Sequence, residues 1–425
     1  MAELSCNYHY KLQYKDLTIF NDQDVHDQKL CKVTDAIPES QWLQDPQWTA
    51  MNWSATTDQI AKVIDLGNNK TATGPDGCPY ELWKALKVHH EHLSIQPNTQ
   101  SFDIVKTLME IITDIQTYDL DPDLKFATAW MCPVFKKKDP TDIANYRPIN
   151  ILNTDYKILT KVLALQLNDH TNTLIHHDQA SFIPRRSIFN HIQLAKAIIN
   201  YAEITNENGA IIALDQEKAY DKICHDYLWK VLQAFQFPHP FIKTIKALYE
   251  HASTRVAING VLSSPFQVHR GVRQGDPLSC ALFNLAIEPL ACMLRSNQSL
   301  NGLHIPGLNK KIIAKFFVDD MSLYLSHSNC FDHVYQTLQD WCKVSGAKFN
   351  IEKTKIIPIG SSDFRNQVAT SWKINLQDQS EFDNRIKIAT DGEATRFLGA
   401  WIGNKTDNVT AWEPIIDIVK KEFSH

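Results

Sequence analysis

The sequence predicts an α+β fold, and three observations carry that prediction. Asn259-Gly260 lies between the apolar runs Arg255–Ile258 and Val261–Leu262, a strong hairpin signal because both residues tolerate positive φ. Lys311–Val318 and Met321–Leu325 read as two further strands around a tight turn occupied by Asp319 and Asp320. Amphipathic helices are interleaved with these strands. Ile158, Leu159, Val162, Leu163 and Leu167 share one side of Tyr156–Leu167, and Leu228, Val231, Leu232 and Phe235 share one side of His225–Phe235.

The remaining elements follow in chain order. Residues 1–60 read as polar and irregular, with Trp42, Trp48 and Trp53 as isolated apolar anchors. A helix starts after Ser54, with Ile60, Val63 and Ile64 on one face, and ends at Gly67-Asn68-Asn69. Thr73-Gly74-Pro75-Asp76-Gly77 is a turn, and a helix near Tyr80–His89 follows it. Ala129–Phe135 reads as a strand running into the basic run Lys136–Lys138. Gly209–Leu214 is a short apolar strand that its composition buries on both faces. Leu278–Leu294 is helical, and Pro289 should bend or break it. The last helix expected is Ala411–Phe423.

Composition narrows the class. The chain has 425 residues, 44% hydrophobic and 21% charged, enough for two or three domains with a sizeable core. A net charge of −5 weighs against a nucleic-acid binder that uses its whole surface, while leaving room for a local basic groove. Nine cysteines without a Cys-x-x-Cys pair argue for reduced thiols. No run of about eighteen apolar residues and no apolar N-terminal core is present, so the expectation is a soluble intracellular protein with no membrane span. His89-His90 and His176-His177 lack a spaced second pair, and solvated histidines account for them better than zinc.

Two features are chemically unusual. Phe316-Phe317-Val318-Asp319-Asp320-Met321 embeds adjacent carboxylates in apolar surroundings that disfavour their charged forms. A capped solvent-exposed turn is the plain alternative. Asp215 directly follows the strand Ala210–Leu214, which puts its carboxylate at a sheet rim; a helix N-cap would explain it equally well. Three acids in such positions can converge on a divalent metal, and oxygen ligands suit Mg²⁺ completed by substrate phosphates.

The ordered set of motifs resembles the reverse transcriptases of non-LTR (LINE-type) retrotransposons. Ala213-Leu214-Asp215 through Ala219-Tyr220-Asp221, with Phe317-Val318-Asp319-Asp320, is similar to their paired palm motifs. Asn145-Tyr146-Arg147-Pro148-Ile149 and Gln179-Ala180-Ser181-Phe182-Ile183-Pro184 resemble the fingers motifs. Arg270–Ser279 resembles the substrate-binding segment, Ser345–Thr354 the next palm motif, and Phe397-Leu398-Gly399 the primer-grip hairpin. Together they cover most of residues 70–403 in family order.

The resemblance implies a polymerase right hand: fingers and palm with an antiparallel sheet backed by helices, and a truncated helical thumb. It divides the chain into an extension leading into the fingers (1–120), fingers and palm (121–360), and a primer-grip region with the start of the thumb (361–425). It makes Asp215 and Asp319 the principal ligands of Mg²⁺ (or Mn²⁺), with Asp320 in support. Tyr220 falls at the gate against a ribose 2′-hydroxyl, or is an ordinary core aromatic. Gln274 and Gly275 lie beside the incoming nucleotide and template base. Arg147 and one lysine of Lys136–Lys138, taken as Lys136, clamp the triphosphate. Lys353 is a candidate to protonate the departing pyrophosphate, or a plain surface lysine.

Where the family has glycine and then arginine after the fingers proline, this chain has Arg185-Arg186. Arg185 would be strained if that position needs positive φ, or could instead add a phosphate contact, and Arg186 is counted among the substrate-binding residues. Valine at Val318 for the commoner alanine carries little weight in sequence. The expected activity is Mg²⁺-dependent addition of dNTPs to a DNA primer on an RNA template. The alternative is an inactive or domesticated remnant that only binds nucleic acid, and an intron-encoded maturase would bring a basic helical domain after the palm. No endonuclease domain or cysteine–histidine knuckle is expected within the chain.

Overall fold

A computed structural model gives the fold and describes residues 1–15, 23–45, 55–96, 99–305, 307, 311–406, 416 and 420. β1 (Thr128–Phe135) pairs antiparallel with β2 (Tyr146–Leu152). In β3 (Gly209–Leu214) every residue but Ala213 is buried. β4 (Ser253–Ile258) turns through Asn259 and Gly260, at φ 50° and 77°, into β5 (Val261–Leu262). This is the hairpin that the Asn-Gly pair requires. β6 (Phe266–Gln267) also pairs with β4, and β4 runs parallel to β1, so these five strands make one mixed sheet.

β7 (Ala314–Phe317) and β8 (Asp320–Ser326) form the acidic hairpin. With β9 (Lys355–Ile359) and β10 (Lys387–Ile388) they build a second sheet in the order β10-β9-β3-β8-β7. β3 is flanked on both sides, which explains its continuous apolar sequence. A separate hairpin joins β11 (Thr395–Phe397) to β12 (Ala400–Ile402) through Leu398 and Gly399, both at positive φ.

The helix Ser279–Ser296 packs against the helices His225–Ala234 and Phe331–Ser345, and all its residues from Ala281 to Leu294 are buried. Pro289 lies inside this helix, which runs on past it, so of the bend or break expected from sequence the break does not occur. Each fully buried leucine or isoleucine contributes about 1.5–3 kcal/mol, and several of them offset the single backbone bond that proline forfeits. The helix after Ser54 begins at Thr57, because Thr56 and Gln59 form a reciprocal capping box.

The N-terminal expectation needs correction. Ala2–Leu12 and Gln23–Thr34 are helices, not irregular chain. Cys6 on the first packs with Met131, Val256 and Phe266, and Leu30 and Val33 of the second enter the main core. Their apolar stripes are narrow in an otherwise polar sequence, so the sheet and core they cover decide their structure. Trp48 and Trp53, and the Ala411–Phe423 helix apart from Ile416 and Lys420, lie outside the described residues, and the truncated thumb with them. Among the described residues no helix is long and apolar enough to cross a membrane, and all nine cysteines are free thiols.

Candidate active site

Sheet register brings the three aspartates to one end of the second sheet. Leu214 pairs with Met321, so Asp215 leaves β3 where Asp320 enters β8. The backbone around Asp215 is held from the far side by residues 348–353. Glu217 N donates to Lys348 O at 2.8 Å, and Asn350 N donates to Asp215 O at 2.8 Å. Asn350 also caps the short turn Ile351–Lys353, and Lys353 Nζ reaches Asp215 Oδ1 at 2.6 Å.

The β7–β8 turn differs from the sequence expectation by one residue. Phe317 pairs with Asp320, so the central residues are Val318 and Asp319. Val318 sits at φ 56°, a position where a two-residue hairpin favours glycine. A β-branched residue there costs about 1–2 kcal/mol of backbone strain. The valine that sequence treats as incidental is therefore under strain next to Asp319.

Electrostatics at this end are strongly perturbed. Burial, then the charges of Asp319 and Asp215, push the Asp320 carboxyl up to about 6. Burial also raises Asp319, with Asp215 adding to it and Lys136 and Lys353 opposing. Across from them, Lys136 leaves β1 with its N–H donating to Asn145 O at 3.0 Å, and Arg147 pairs with Val134 on the adjoining β2. Burial and the charges of Arg147 and Lys353 lower the Lys136 ammonium, while Asp319 raises it. A second group of cations lies along β9, where burial, Lys387, Arg396 and Lys137 lower Lys355. Cations dense enough to lower one another make a local basic surface on a chain of net charge −5.

Tyr220 stacks on Phe283 with ring centroids 4.8 Å apart and 16° between planes. Its hydroxyl is pushed well above the ordinary range by burial first, then Cys280 and Asp319. The segment Arg270–Ser279 is tied to this region by backbone hydrogen bonds, with Val272 and Leu278 in the main core. Val272 N donates to Tyr220 O at 2.6 Å, and Asn150 N donates to Gln274 O at 2.6 Å. Gly275, at φ 112°, has Asn150 O only 2.3 Å from where a Cβ would stand. Glycine is required there by the approach of β2.

Arg186 is placed differently. Its guanidinium donates to His176 O at 2.6 Å, Gln179 O at 2.8 Å, Ile175 O at 2.9 Å and Asn172 Oδ1 at 3.1 Å. It ties down residues 172–179. Arg185 does adopt φ 66°, so the strain expected at the family's glycine position is present. His176 and His177 are not merely solvated: both pair with Asp178, at 2.8 and 3.7 Å, beside Lys315 and Arg295. Among the described residues, the groups of three metal-ligating side chains within 4.8 Å of one another are His176, His177, Asp178 and Cys330, Asp332, Asp378. Asp215, Asp319 and Asp320 are not such a group, and Asp215 presents Oδ1 to Lys353.

Sequence reasoning missed Gln179, Ser181 and Asn284 as site-supporting residues. Ser181 Oγ accepts from Val318 N at 2.8 Å, and Asn284 Nδ2 donates to Ser181 O at 2.9 Å. The only signal was Gln179-Ala180-Ser181 lying inside a motif, without a partner named for it.

Comparison with known proteins agrees with this architecture. The family model described as reverse transcriptase (RNA-dependent DNA polymerase) matches residues 135–402. An uncharacterized 149 kDa protein of transposon TX1 from Xenopus laevis is 36% identical over 306 residues, 72% of this chain and 22% of that protein. The Pol polyprotein of the type-2 retrotransposable element R2DM from Drosophila melanogaster is 28% identical over 302 residues, 71% of this chain and 26% of the relative. The RNA-directed DNA polymerase from the Drosophila melanogaster mobile element jockey is 27% identical over 157 residues, 35% of this chain and 16% of the relative. The chain thus matches between 16% and 26% of these relatives' lengths. A mixed α/β fold built around two sheets, with paired acids at one sheet end, is the class that fold and site define. The chain belongs to the reverse transcriptase family, on its non-LTR retrotransposon side.

Proposed function

We propose that this chain is the polymerising core of a retrotransposon enzyme that copies an RNA template by adding dNTPs to the 3′-end of a DNA primer. The observation that carries the reading is the placement of Asp215, Asp319 and Asp320 at one sheet end, near Lys136 and Lys353. The donor set is oxygen alone, with no sulfur or nitrogen, and two of its carboxyls are raised by burial and by neighbouring carboxylates, Asp320 by Asp319 and Asp215, and Asp319 by Asp215. Such a set fits Mg²⁺ or Mn²⁺. Asp215, Asp319 and Asp320 would hold the ions, which supply activation of the primer hydroxyl and charge stabilisation at the phosphates.

The chain's own groups have distinct jobs in this reading. Lys136 and Arg147 bind triphosphate oxygens, the arginine through its planar fork and the lysine as a point charge. Lys353, paired with Asp215, neutralises it before substrate arrives and would then deliver a proton to the leaving group. Tyr220, braced by Phe283, offers a rigid aromatic edge against a 2′-hydroxyl. Gln274 and Gly275, the latter packed against the Asn150 backbone, would keep backbone close to the incoming base.

Primer extension on an RNA template with Mg²⁺ tests the proposal. Wild type should extend the primer, and Asp319→Asn should lose on the order of a thousandfold, a few kcal/mol of transition-state stabilisation. RNA binding without extension by either protein would refute the polymerase reading and leave a nucleic-acid-binding remnant.

A further inference from the structure

Val318 needs an external hold, because its φ of 56° is one that a β-branched residue leaves readily. Its N–H is the anchored atom: it donates to Ser181 Oγ at 2.8 Å and to Gln179 Oε1 at 3.3 Å. Gln179 Oε1 also accepts from Ser181 N at 3.1 Å and Ser181 Oγ at 2.7 Å. Three donors converging on one oxygen fix the orientation of that amide. Ser181 is held in turn by Asn284 Nδ2, which donates to Ser181 O at 2.9 Å.

The same segment is stitched to β7 by backbone. Phe316 N donates to Asp178 O at 2.8 Å, and Ala180 N donates to Phe316 O at 3.0 Å. Gln179 and Ser181 are each 1% exposed and Asn284 3%, so water does not compete for these bonds. Two buried polar side chains therefore converge on the Val318 N–H, immediately before Asp319, and a third, Asn284, backs one of them.

From this geometry we infer that Gln179 and Ser181, backed by Asn284, are positioning residues that hold the Val318–Asp319 turn and so set where the Asp319 carboxylate stands for a divalent cation. The inference rests on the reading of Asp319 as a metal ligand given above. Losing the Ser181 hydroxyl frees the Val318 peptide to rotate toward an unstrained φ, and the adjoining aspartate moves with it. The two residues act through the turn, as positioning residues.

The test uses the full chain with Ser181→Ala and Ser181→Thr, and Asp319→Asn as reference. The readouts are Mn²⁺ affinity by calorimetry, primer-extension kcat and KM for dNTP with the Mg²⁺ half-saturation point, and thermal unfolding. Ser181→Ala should bind Mn²⁺ about tenfold more weakly, the value of one buried hydrogen bond, and raise the Mg²⁺ half-saturation point similarly. KM for dNTP should hold while kcat falls at limiting Mg²⁺, and Ser181→Thr, which keeps the hydroxyl, should recover most of the loss. A Ser181→Ala protein with wild-type Mn²⁺ affinity overturns the inference. So does one whose activity falls only with its folded fraction while metal dependence is unchanged. If wild type binds Mn²⁺ through Asp319 but extends no primer, the polymerase reading fails, and the Ser181→Ala affinity still decides this one. If Asp319→Asn leaves Mn²⁺ affinity intact, both fall together.

Discussion

Replacing Arg186 separates two jobs that its place in the motif allows. The resemblance suggests a phosphate contact, whereas the structure commits the guanidinium to three carbonyls and one side-chain amide between residues 172 and 179. Two of those carbonyls belong to Ile175 and Gln179, each 1% exposed, where water cannot substitute. A hydrogen bond from a charged donor contributes roughly 1.5–3 kcal/mol, and an orphaned buried carbonyl costs about 1–3 kcal/mol. Counting only the two buried acceptors, Arg186→Ala should lose about 3 kcal/mol or more of folding stability, a melting point lower by several degrees. Arg186→Lys should recover little, because an ammonium cannot span acceptors that the planar fork reaches together. Urea or thermal unfolding measures the loss, and steady-state extension gives KM for dNTP, which should stay at the wild-type value. Unchanged unfolding with a several-fold rise in KM, partly restored by lysine, would refute the assignment and put Arg186 on a phosphate.

Two other outcomes follow from the same physics. Arg185→Gly removes about 1–2 kcal/mol of left-handed strain at φ 66° and adds about 0.5–1 kcal/mol of chain entropy, so unfolding should show a net gain of roughly 0.5–1 kcal/mol. Asp155 is pushed up to about 6 by burial, with Asp76 adding and the Tyr156 N–H opposing. A carboxyl with a folded pKa above its unfolded one binds its proton more tightly when folded, so its contribution is present below about pH 4 and lost as pH rises through about 6. Asp155→Asn should therefore raise stability at pH 8 by roughly 2 kcal/mol and leave it unchanged near pH 4, as read from urea midpoints at the two pH values.

Much of the second sheet was legible because its signals are local. Gly209–Leu214 is apolar throughout, and such a run has no other place than between two strands. Asn259-Gly260 declares its turn through the φ values the two residues tolerate. The Val318–Asp319 turn was misplaced by one residue, because the turn geometry puts valine where glycine is favoured. Propensity could not anticipate that, since the hold comes from Ser181, 137 residues earlier. The N-terminal helices failed for a related reason: their sparse apolar residues gain their burial from surfaces built much later in the chain.

The sequence by itself determined the motif order, the strands that carry the aspartates and the acidic character of the turn, because each depends on residue type and short spacing. Tertiary structure alone decided which cations face those acids and that Lys353 closes on Asp215. It also bound Arg186 to residues 172–179 and held Val318, at positive φ, on a buried serine. Those are relations between residues distant in the chain, and their energies come from burial and charge proximity that no local pattern encodes.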